Sequence, residues 1–265
     1  MPELAEVEYY RKQWDPGKNQ KINAVALHAD KRIFRCTNPK QLRAKIVGQH
    51  LLDSEARGKQ MLFHFSGNLW LGIHLGMTGK LWTAPPDFRP AKHDHLVLFH
   101  EKGALVFSDM RQFGLVRFDQ SAEPPQWWND IAPAVTSREF TQEKMNQFLQ
   151  AHRKLPIKAA LLLQQGFPGV GNWMADEILW RARLNPHLRS AELKPAQSKA
   201  LFKNVVWVCR EAIRRISSDF DEPPANWLFH QRWLRDGHCP RDKQRLVRET
   251  IRGRTSAWCP KCQRR

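Results

Sequence analysis

The sequence from residue 231 onward combines three cysteines with a strong excess of basic residues, and this combination constrains how it can fold. A segment so short and so basic has no hydrophobic core of its own, so it needs a covalent or metal staple. Cys259 and Cys262 form a C-x-x-C pair, a spacing at which two thiolates can bind one zinc ion. The alternating pattern over residues 245–258 favours a β-hairpin. We therefore expect a zinc finger over residues 231–265.

The ligand set of this finger is not fully specified by the sequence. Cys239 supplies a third thiolate, but Asp242 stands three residues later, where a second C-x-x-C pair would have a cysteine. His238 is the other local candidate for the fourth ligand. Both donor sets suit zinc, so we expect one structural zinc ion held by the three cysteines together with Asp242 or, alternatively, His238.

The sequence pattern of the first half of the chain is typical of a β-rich domain. Short runs of β-branched, aromatic and aliphatic residues are separated by turn-forming residues, a spacing typical of an antiparallel sandwich or barrel. The clearest predicted strands are 61–65, 69–73, 95–99 and 104–109. A Pro- and Trp-rich stretch over 122–133 resembles a linker out of this domain.

After this stretch the pattern becomes helical, and the sequence predicts an α+β protein. Thr136 and Glu139 have the spacing of a capping box, which predicts a helix start there. Further predicted helices cover 157–165, a segment beginning near Asn172, and 197–216. The predicted domains are 1–130, 134–230 and 231–265.

Composition narrows the range of partners. The chain carries 43 Lys and Arg against 26 Asp and Glu, a formal net charge of +17, which favours a polyanion such as nucleic acid. No apolar run approaches the ~18 residues of a membrane span, and the acidic start does not resemble a signal peptide. We expect a cytoplasmic protein, associated with the nucleoid in a bacterium, and no membrane partner.

The opening MPELAEVE permits two interpretations. Proline and carboxylates suit the first turn of a helix, because they complement its dipole. Removal of Met1 would instead leave Pro2 with a free secondary amine beside Glu3, an arrangement suited to nucleophilic catalysis. The first eight residues alone do not decide between these interpretations.

Several loops carry residues suited to DNA contacts. The glycine-rich turn in QQGFPGVGNW exposes backbone N–H groups before Asn172, which could cap the next helix, and such a turn can bind phosphate. Lys59 lies in a basic turn before a predicted strand. Met77, Arg111 and Phe113 lie on glycine-flanked turns, where they could pack as ordinary residues or insert into a base stack.

Taken together and in this order, MPELAEVE, RGK at Lys59, HLGMTG, DMRQFG, GVGN and the terminal WCPKCQ resemble the formamidopyrimidine-DNA glycosylase / endonuclease VIII family over the whole chain. The resemblance implies an N-terminal β-sandwich domain with an N-terminal helix, a helix–two-turns–helix domain and a C-terminal zinc finger. It further implies a monomer that grips damaged double-stranded DNA between its domains.

The resemblance also implies roles for individual residues. Pro2 would attack the anomeric carbon and form a Schiff base, assisted by the acid Glu3, with Glu6 in support. The residues that would grip phosphates around the lesion are Lys59, Asn172 and Arg254. Met77, Arg111 and Phe113 would fill the space left by the extruded nucleotide. Lys158 would lie near the base pocket.

The chain departs from the family pattern at two places that affect these expectations. Asp242 replaces a finger cysteine, and the segment 217–233 is short and lacks a glycine-rich lid. The resemblance predicts a bifunctional glycosylase and apurinic-site lyase of base excision repair, which prefers oxidised purines to oxidised pyrimidines. Two alternatives are a non-catalytic zinc protein that binds damaged DNA and a glycosylase of the helix-hairpin-helix type, neither of which needs a free Pro2 amine.

Overall fold

Apolar runs in the first half of the chain form two antiparallel four-stranded sheets in the computed structural model, which describes residues 1–264. The strand orders are β1-β6-β7-β5 and β2-β3-β4-β8. These eight strands are β1 Ala24–Leu27, β2 Leu51–Arg57, β3 Gln60–Phe65, β4 Leu69–His74, β5 Lys80–Ala84, β6 Asp94–His100, β7 Gly103–Ser108 and β8 Leu115–Gln120.

Strand β7 illustrates why this region forms a sandwich. All six of its residues are buried, because both of its faces are covered. Leu105 and Phe107 enter the core between the sheets, whereas Ala104 and Val106 join a smaller apolar cluster on the other face. The predicted sandwich is confirmed, and the four predicted strands correspond to β3, β4, β6 and β7 with ends that differ by at most one residue.

The second half of the chain is helical before its terminal hairpin. Its longest helix buries an apolar stripe against the helix that begins at Asn172. The α-helices of residues 1–264 are α1 Leu4–Lys12, α2 Pro39–Ile46, α3 Gln126–Asn129, α4 Gln142–Ala151, α5 Ile157–Ala160, α6 Asn172–Ala182 and α7 Pro195–Asp219.

Two local predictions in this region are wrong. The first helix after the linker does not start near Thr136, because Thr141 is the N-cap and its hydroxyl accepts from the Lys144 N–H at 3.2 Å. Asn172 does not cap α6 with its side chain, since the N-cap residue is Gly171. The predicted helix over 157–165 is also shorter than expected and ends at Ala160.

The C-terminal hairpin consists of β9 Val247–Ile251 and β10 Arg254–Trp258. Its two-residue turn has positive φ at both positions, 47° at Arg252 and 77° at Gly253, as the twist of a tight hairpin requires. The predicted hairpin is therefore confirmed. None of the helices in the described part of the chain is both long and apolar enough to cross a membrane.

The described chain consists of two compact units, each with its own core. The first contains residues 1–2 and Glu6–Ile131, and the second contains Glu3–Ala5 together with everything described from Ala132 onward. Helix α1 therefore contributes its first residues to the second unit. The three predicted domain boundaries stay predictions.

Candidate functional site

Glu3 is a buried carboxylate of the second unit, only 3% exposed. Its Oε1 accepts from the Trp173 N–H at 2.9 Å and its Oε2 from the Met174 N–H at 3.1 Å. These N–H groups belong to the first turn of α6, where a carboxylate complements both the unpaired donors and the helix dipole. Glu3 thus caps a helix that begins 169 residues later in the sequence.

The glycine-rich turn before α6 is shaped to admit the N-terminal segment. A Cβ at Gly171 would lie 2.1 Å from Glu3 Cδ, and one at Gly169 would lie 2.7 Å from Leu4 Cδ1. Gly169 also has a φ of +89°, and its carbonyl accepts from the Leu4 N–H at 3.0 Å. The turn therefore binds the protein's own N-terminal backbone closely, and Pro2 is fixed by its covalent link to Glu3.

Asp176, one helical turn after Asn172, is the centre of a buried ionic cluster. Its Oδ1 accepts from Lys158 Nζ at 2.6 Å, and its Oδ2 accepts from Arg232 Nη2 at 2.7 Å and from the Ala257 N–H of β10 at 3.1 Å. Asp176, Lys158 and Arg232 are all at most 3% exposed. We refer to these three side chains as the Asp176 cluster.

The Asp176 cluster also reaches the backbone at Asn172. Lys158 Nζ donates to the Asn172 carbonyl at 2.7 Å, and the Asn172 side-chain amide donates to the Thr255 carbonyl at 2.8 Å. Burial lowers the pKa of Lys158, while the neighbouring Asp176 opposes that shift. Lys158 is predicted to lie near the base pocket, but its side chain is fully buried and its amine is committed to these two acceptors.

Asn172 and Arg254 are brought into the same neighbourhood of the second unit. Arg254 begins β10 and is exposed, and the next residue along the strand, Thr255, is the one that Asn172 contacts. An exposed guanidinium beside a helix start is well suited to a phosphate oxygen. The roles of Asn172 and Arg254 as phosphate contacts stay predictions.

Lys59 lies in the turn between β2 and β3, next to Gly58 with a φ of +62°. Its side chain is nine-tenths buried. Burial together with the positive charges of Lys59, Arg35 and Arg117 lowers the pKa of His74 to about 4. His74 is therefore neutral at pH 7, and its Nδ1 accepts from the Gly76 N–H at 3.0 Å.

Met77, Arg111 and Phe113 project from two loops of the first unit. Met77 is 42% and Phe113 39% exposed, high values for large apolar side chains. The Arg111 guanidinium lies over the Phe113 ring, 4.7 Å from its centroid, so the two side chains stack through a cation–π contact. Exposed apolar groups next to a stacked guanidinium are suited to contact bases.

The finger brings Cys239, Asp242, Cys259 and Cys262 together, with one potential ligand atom of each within 4.8 Å of the others. Cys239 Sγ and Cys262 Sγ are 3.8 Å apart. Tetrahedral zinc with Zn–S bonds of ~2.3 Å separates two sulfurs by about 3.8 Å, so the spacing fits. Asp242 Oδ2 lies 3.0 Å from Cys262 Sγ and 3.5 Å from Cys259 Sγ. His238 is not a member of this group, so Asp242 is the better candidate for the fourth ligand.

Sequence reasoning missed the buried carboxylates that organise these loops and helices. Asp176 and Glu177 stand in the otherwise apolar helix NWMADEILW, and both are buried. Burial raises the pKa of Glu177 to about 7, although Arg181 Nε donates to it at 2.7 Å. Two adjacent acids in a helix without a polar face indicate buried ion pairs, and this signal was available in the sequence. Arg181, the partner of Glu177, lies four residues along the same helix, but the partners of Asp176 could not be predicted, because Lys158 and Arg232 are distant along the chain.

Comparison with known proteins identifies both halves of the chain. Residues 1–116 match the formamidopyrimidine-DNA glycosylase N-terminal domain, and residues 131–221 match the formamidopyrimidine-DNA glycosylase H2TH domain. The formamidopyrimidine-DNA glycosylase of Solibacter usitatus is 34% identical over 273 residues, which cover all of both chains. That of Carboxydothermus hydrogenoformans is 32% identical, again over the full length of both.

Solved structures agree with the sequence matches. A complex of the Lactococcus lactis enzyme with DNA that contains an oxidized pyrimidine superposes with a TM-score of 0.90, at 26% identity and full coverage of both chains. A mutant of the same enzyme with DNA that contains Fapy-dG gives a TM-score of 0.89 at the same identity and coverage. Full-length similarity in sequence and in fold therefore shows that this chain belongs to the formamidopyrimidine-DNA glycosylase family of DNA-repair enzymes.

Proposed function

We propose that this protein is a bifunctional DNA glycosylase and apurinic-site lyase that excises oxidised bases through a Schiff base on Pro2. The observation that carries the proposal is the position of Glu3, a buried carboxylate fixed by the Trp173 and Met174 N–H groups and covalently next to Pro2. A buried acid that helix N–H groups hold beside Pro2 is placed to exchange protons with a substrate bound there.

The chemistry needs the Pro2 nitrogen as a free amine, so removal of Met1 is part of the proposal. An α-amine has an ordinary pKa of about 8, which leaves a useful unprotonated fraction at neutral pH. Its lone pair forms a bond to the anomeric carbon as the glycosidic bond breaks, and the base leaves with the electron pair of that bond and gains the proton that the Pro2 nitrogen loses. Glu3 gives a proton to the ring oxygen of the sugar, which opens the ring and leaves an iminium ion.

The lyase step follows because the iminium ion withdraws electrons and makes the neighbouring C2′ proton acidic. Loss of a proton from the adjacent C2′ carbon sends an electron pair toward the iminium, and the 3′ phosphate leaves as the strand breaks. Hydrolysis then releases Pro2 for another cycle. Glu3 is the group that accepts or returns protons in these steps, with Glu6 in a supporting role.

We assign the remaining candidate residues to DNA binding. Lys59, Asn172 and Arg254 contact phosphates around the lesion, in keeping with the net charge of +17. Met77, Arg111 and Phe113 occupy the space of the extruded nucleotide, which their exposure and stacking support.

For the lesion itself, we propose that oxidised purines, including oxidised guanine and formamidopyrimidines, are preferred to oxidised pyrimidines. The void-filling trio of Met77, Arg111 and Phe113 resembles that of enzymes dedicated to oxidised guanine. The solved relatives bind both kinds of lesion, since one complex contains Fapy-dG and another an oxidized pyrimidine. Excision rates on duplexes that carry each lesion, measured side by side, test this preference.

One structural zinc ion belongs to the proposal, with Cys239, Asp242, Cys259 and Cys262 as ligands. Zinc would hold the hairpin that presents Arg254 and would take no part in the chemical steps. Asp242→Ala is expected to lower the zinc content below one ion per chain, whereas His238→Ala should leave it at one. The opposite pattern in elemental analysis would assign the fourth bond to His238.

The catalytic role of Glu3 is tested by a matched pair of variants near the N-terminus. Glu3→Gln keeps the size of the side chain but removes its acid function, and it should reduce single-turnover excision by at least about 100-fold. Glu6→Gln, three residues later in α1, should cost far less. Equal effects of both substitutions, with folding intact, would show that the loss of activity is not specific to the Glu3 acid, and the proposed mechanism would fail.

A further inference from the structure

Two loops of the first unit carry the proposed void-filling side chains, and one buried carboxylate lies behind both. We define the Met77 loop as residues 75–79 and the Arg111 loop as residues 109–114. Asp109 is fully buried, although it has no lysine, arginine or histidine within salt-bridge distance in the described chain. Its carboxylate is instead satisfied by neutral donors from the two loops.

The hydrogen bonds to Asp109 connect the loops to each other. The Thr78 hydroxyl donates to Asp109 Oδ1 at 2.6 Å, and the Gly114 N–H donates to Oδ2 at 2.7 Å. The Arg111 N–H is shared between Asp109 Oδ1 at 3.3 Å and Thr78 Oγ1 at 3.2 Å. One carboxylate therefore fixes the residue after Met77 and both ends of the segment that carries Arg111 and Phe113.

The backbones of the loops are also in direct contact. Gly76 has a φ of +62°, and a Cβ there would lie 2.4 Å from the Phe113 carbonyl carbon and 2.5 Å from the Gly114 nitrogen. Behind the loops, the His95 ring hydrogen-bonds through Nε2 to the Asp109 carbonyl at 2.9 Å. The contact leaves little room for one loop to move without the other.

A buried carboxylate with neutral partners contributes little to the stability of the fold. Taking its charge out of water is expensive, and an apolar pair of the same shape is often at least as stable. The same arrangement is a good device for position, because short hydrogen bonds to a charged acceptor are strong and directional. The apolar surface that the Met77 and Phe113 side chains leave exposed adds nothing to the stability of the free protein.

From these observations we infer that Asp109 and Thr78 are positioning residues, which hold Met77 and the Arg111–Phe113 stack as one rigid unit for insertion into duplex DNA. The inference rests on the proposed void-filling role of that trio. It adds that the spacing between the two loops is set before DNA binds. Preorganisation of this kind lowers the ordering cost of binding.

The test uses the pair Thr78→Val and Thr78→Ser. Valine matches threonine in shape and removes the hydroxyl, whereas serine keeps it. On duplex DNA with a formamidopyrimidine lesion, Thr78→Val should lower kcat/KM by about tenfold, the equivalent of one such hydrogen bond. Thr78→Ser should remain within about twofold of wild type, and thermal unfolding of both variants should be checked alongside.

Two further readouts separate positioning from a general loss of structure. Single-stranded substrate has no opposite base and no stack to fill, so its cleavage by Thr78→Val should match wild type. The discrimination of Thr78→Val between bases opposite the lesion should weaken in the same direction as that of Arg111→Ala. Unchanged duplex activity, or equal losses on duplex and single strand, would overturn the inference.

The inference can fail independently of the proposed chemistry. Binding of an uncleavable tetrahydrofuran abasic analogue in duplex and in single-stranded DNA reports on insertion without any reaction. Thr78→Val should weaken duplex binding about tenfold and leave single-strand binding unchanged. If wild type forms no Schiff base but this binding pattern holds, the proposed function fails and the positioning role stands.

Discussion

Asp109 in the first unit and Asp176 in the second are both buried carboxylates beside candidate DNA contacts, but their partners differ. Asp109 accepts from a hydroxyl and from backbone N–H groups, all of them neutral. Asp176 lies between the cations Lys158 and Arg232. The first arrangement positions loops through hydrogen-bond geometry, whereas the second balances charge in the interior of a helical unit.

This difference predicts unequal costs for the same chemical change. Asp176→Asn leaves two buried cations without their counter-charge and should lower the free energy of unfolding by about 3–5 kcal/mol. Asp109→Asn removes a charge whose partners are neutral and should cost only about 1–3 kcal/mol. Urea denaturation of both variants measures the two values.

An exposed ion pair provides the control for that comparison. Asp236 pairs with Arg245, and both side chains are about two-thirds exposed, at 67% and 64%. Asp236→Asn should change stability by less than about 1 kcal/mol. Equal costs for Asp109→Asn and Asp176→Asn would show that the nature of the partners does not matter.

The charge balance within the Asp176 cluster predicts which substitution in it lowers the free energy of unfolding most. The cluster holds two cations and one carboxylate, so Lys158→Met leaves a one-to-one pair of Asp176 and Arg232. We expect a cost of about 1–3 kcal/mol, mainly from the lost bond to the Asn172 carbonyl, and less than that of Asp176→Asn. Lys203→Met on the exposed face of α7 is the matched control, and a larger loss for Lys158→Met than for Asp176→Asn would contradict the charge count.

The lowered pKa of His74 predicts how the stability of the protein depends on pH. Its pKa of about 4 in the folded protein lies below the ordinary 6.5, so unfolding releases a side chain that binds a proton more readily. Stability is therefore fully present above pH 6.5 and is lost as the pH falls from 6.5 toward 4. Between pH 7 and pH 5 this single group should cost roughly 2 kcal/mol.

His74→Asn isolates this contribution, because an asparagine oxygen can accept from the Gly76 N–H as Nδ1 does. Urea denaturation at the two pH values should show a smaller acid loss for the variant than for wild type, by roughly that 2 kcal/mol. An identical pH dependence in both proteins would mean that His74 is already protonated near pH 6.

Arg254 should have the smallest effect on folding, since its side chain is exposed. Arg254→Ala is expected to leave the free energy of unfolding within about 0.5 kcal/mol of wild type. Its effect should appear in DNA binding, where the slope of log K against log salt should fall by about one unit. Arg214→Ala, on the exposed surface of α7, should leave that slope unchanged, and an unchanged slope for Arg254→Ala would remove Arg254 from the phosphate contacts.

Local sequence patterns predicted the strands and the hairpin that are determined by neighbouring residues. Strands β3, β4, β6 and β7 were identified from apolar runs between turns, and the finger hairpin from alternation and cysteine spacing. The cap of α6 was assigned to Asn172, the nearest polar residue. The structure uses Glu3 instead, because the glycine turn admits a carboxylate from the other end of the chain.

The same limit applies to the candidate site. Residues that act at loop tips, such as Met77 and Phe113, could be selected from the sequence because exposure and flanking glycines are local features. Thr78 and Asp109, adjacent to them, were not selected, because their importance lies in a bond between two loops 31 residues apart. Contacts of this kind depend on the register of the strands, which no short motif encodes.

Borohydride trapping tests whether the amine of Pro2 forms a covalent bond to damaged DNA. The experiment uses duplex DNA with an abasic site, wild-type protein with verified removal of Met1, and a form with a blocked N-terminus. We predict a reduced covalent complex for wild type, mapped to Pro2 by mass spectrometry, and none for the blocked form. Failure of the wild type to trap, or trapping on a lysine that persists when the N-terminus is blocked, would rule out Pro2 as the nucleophile.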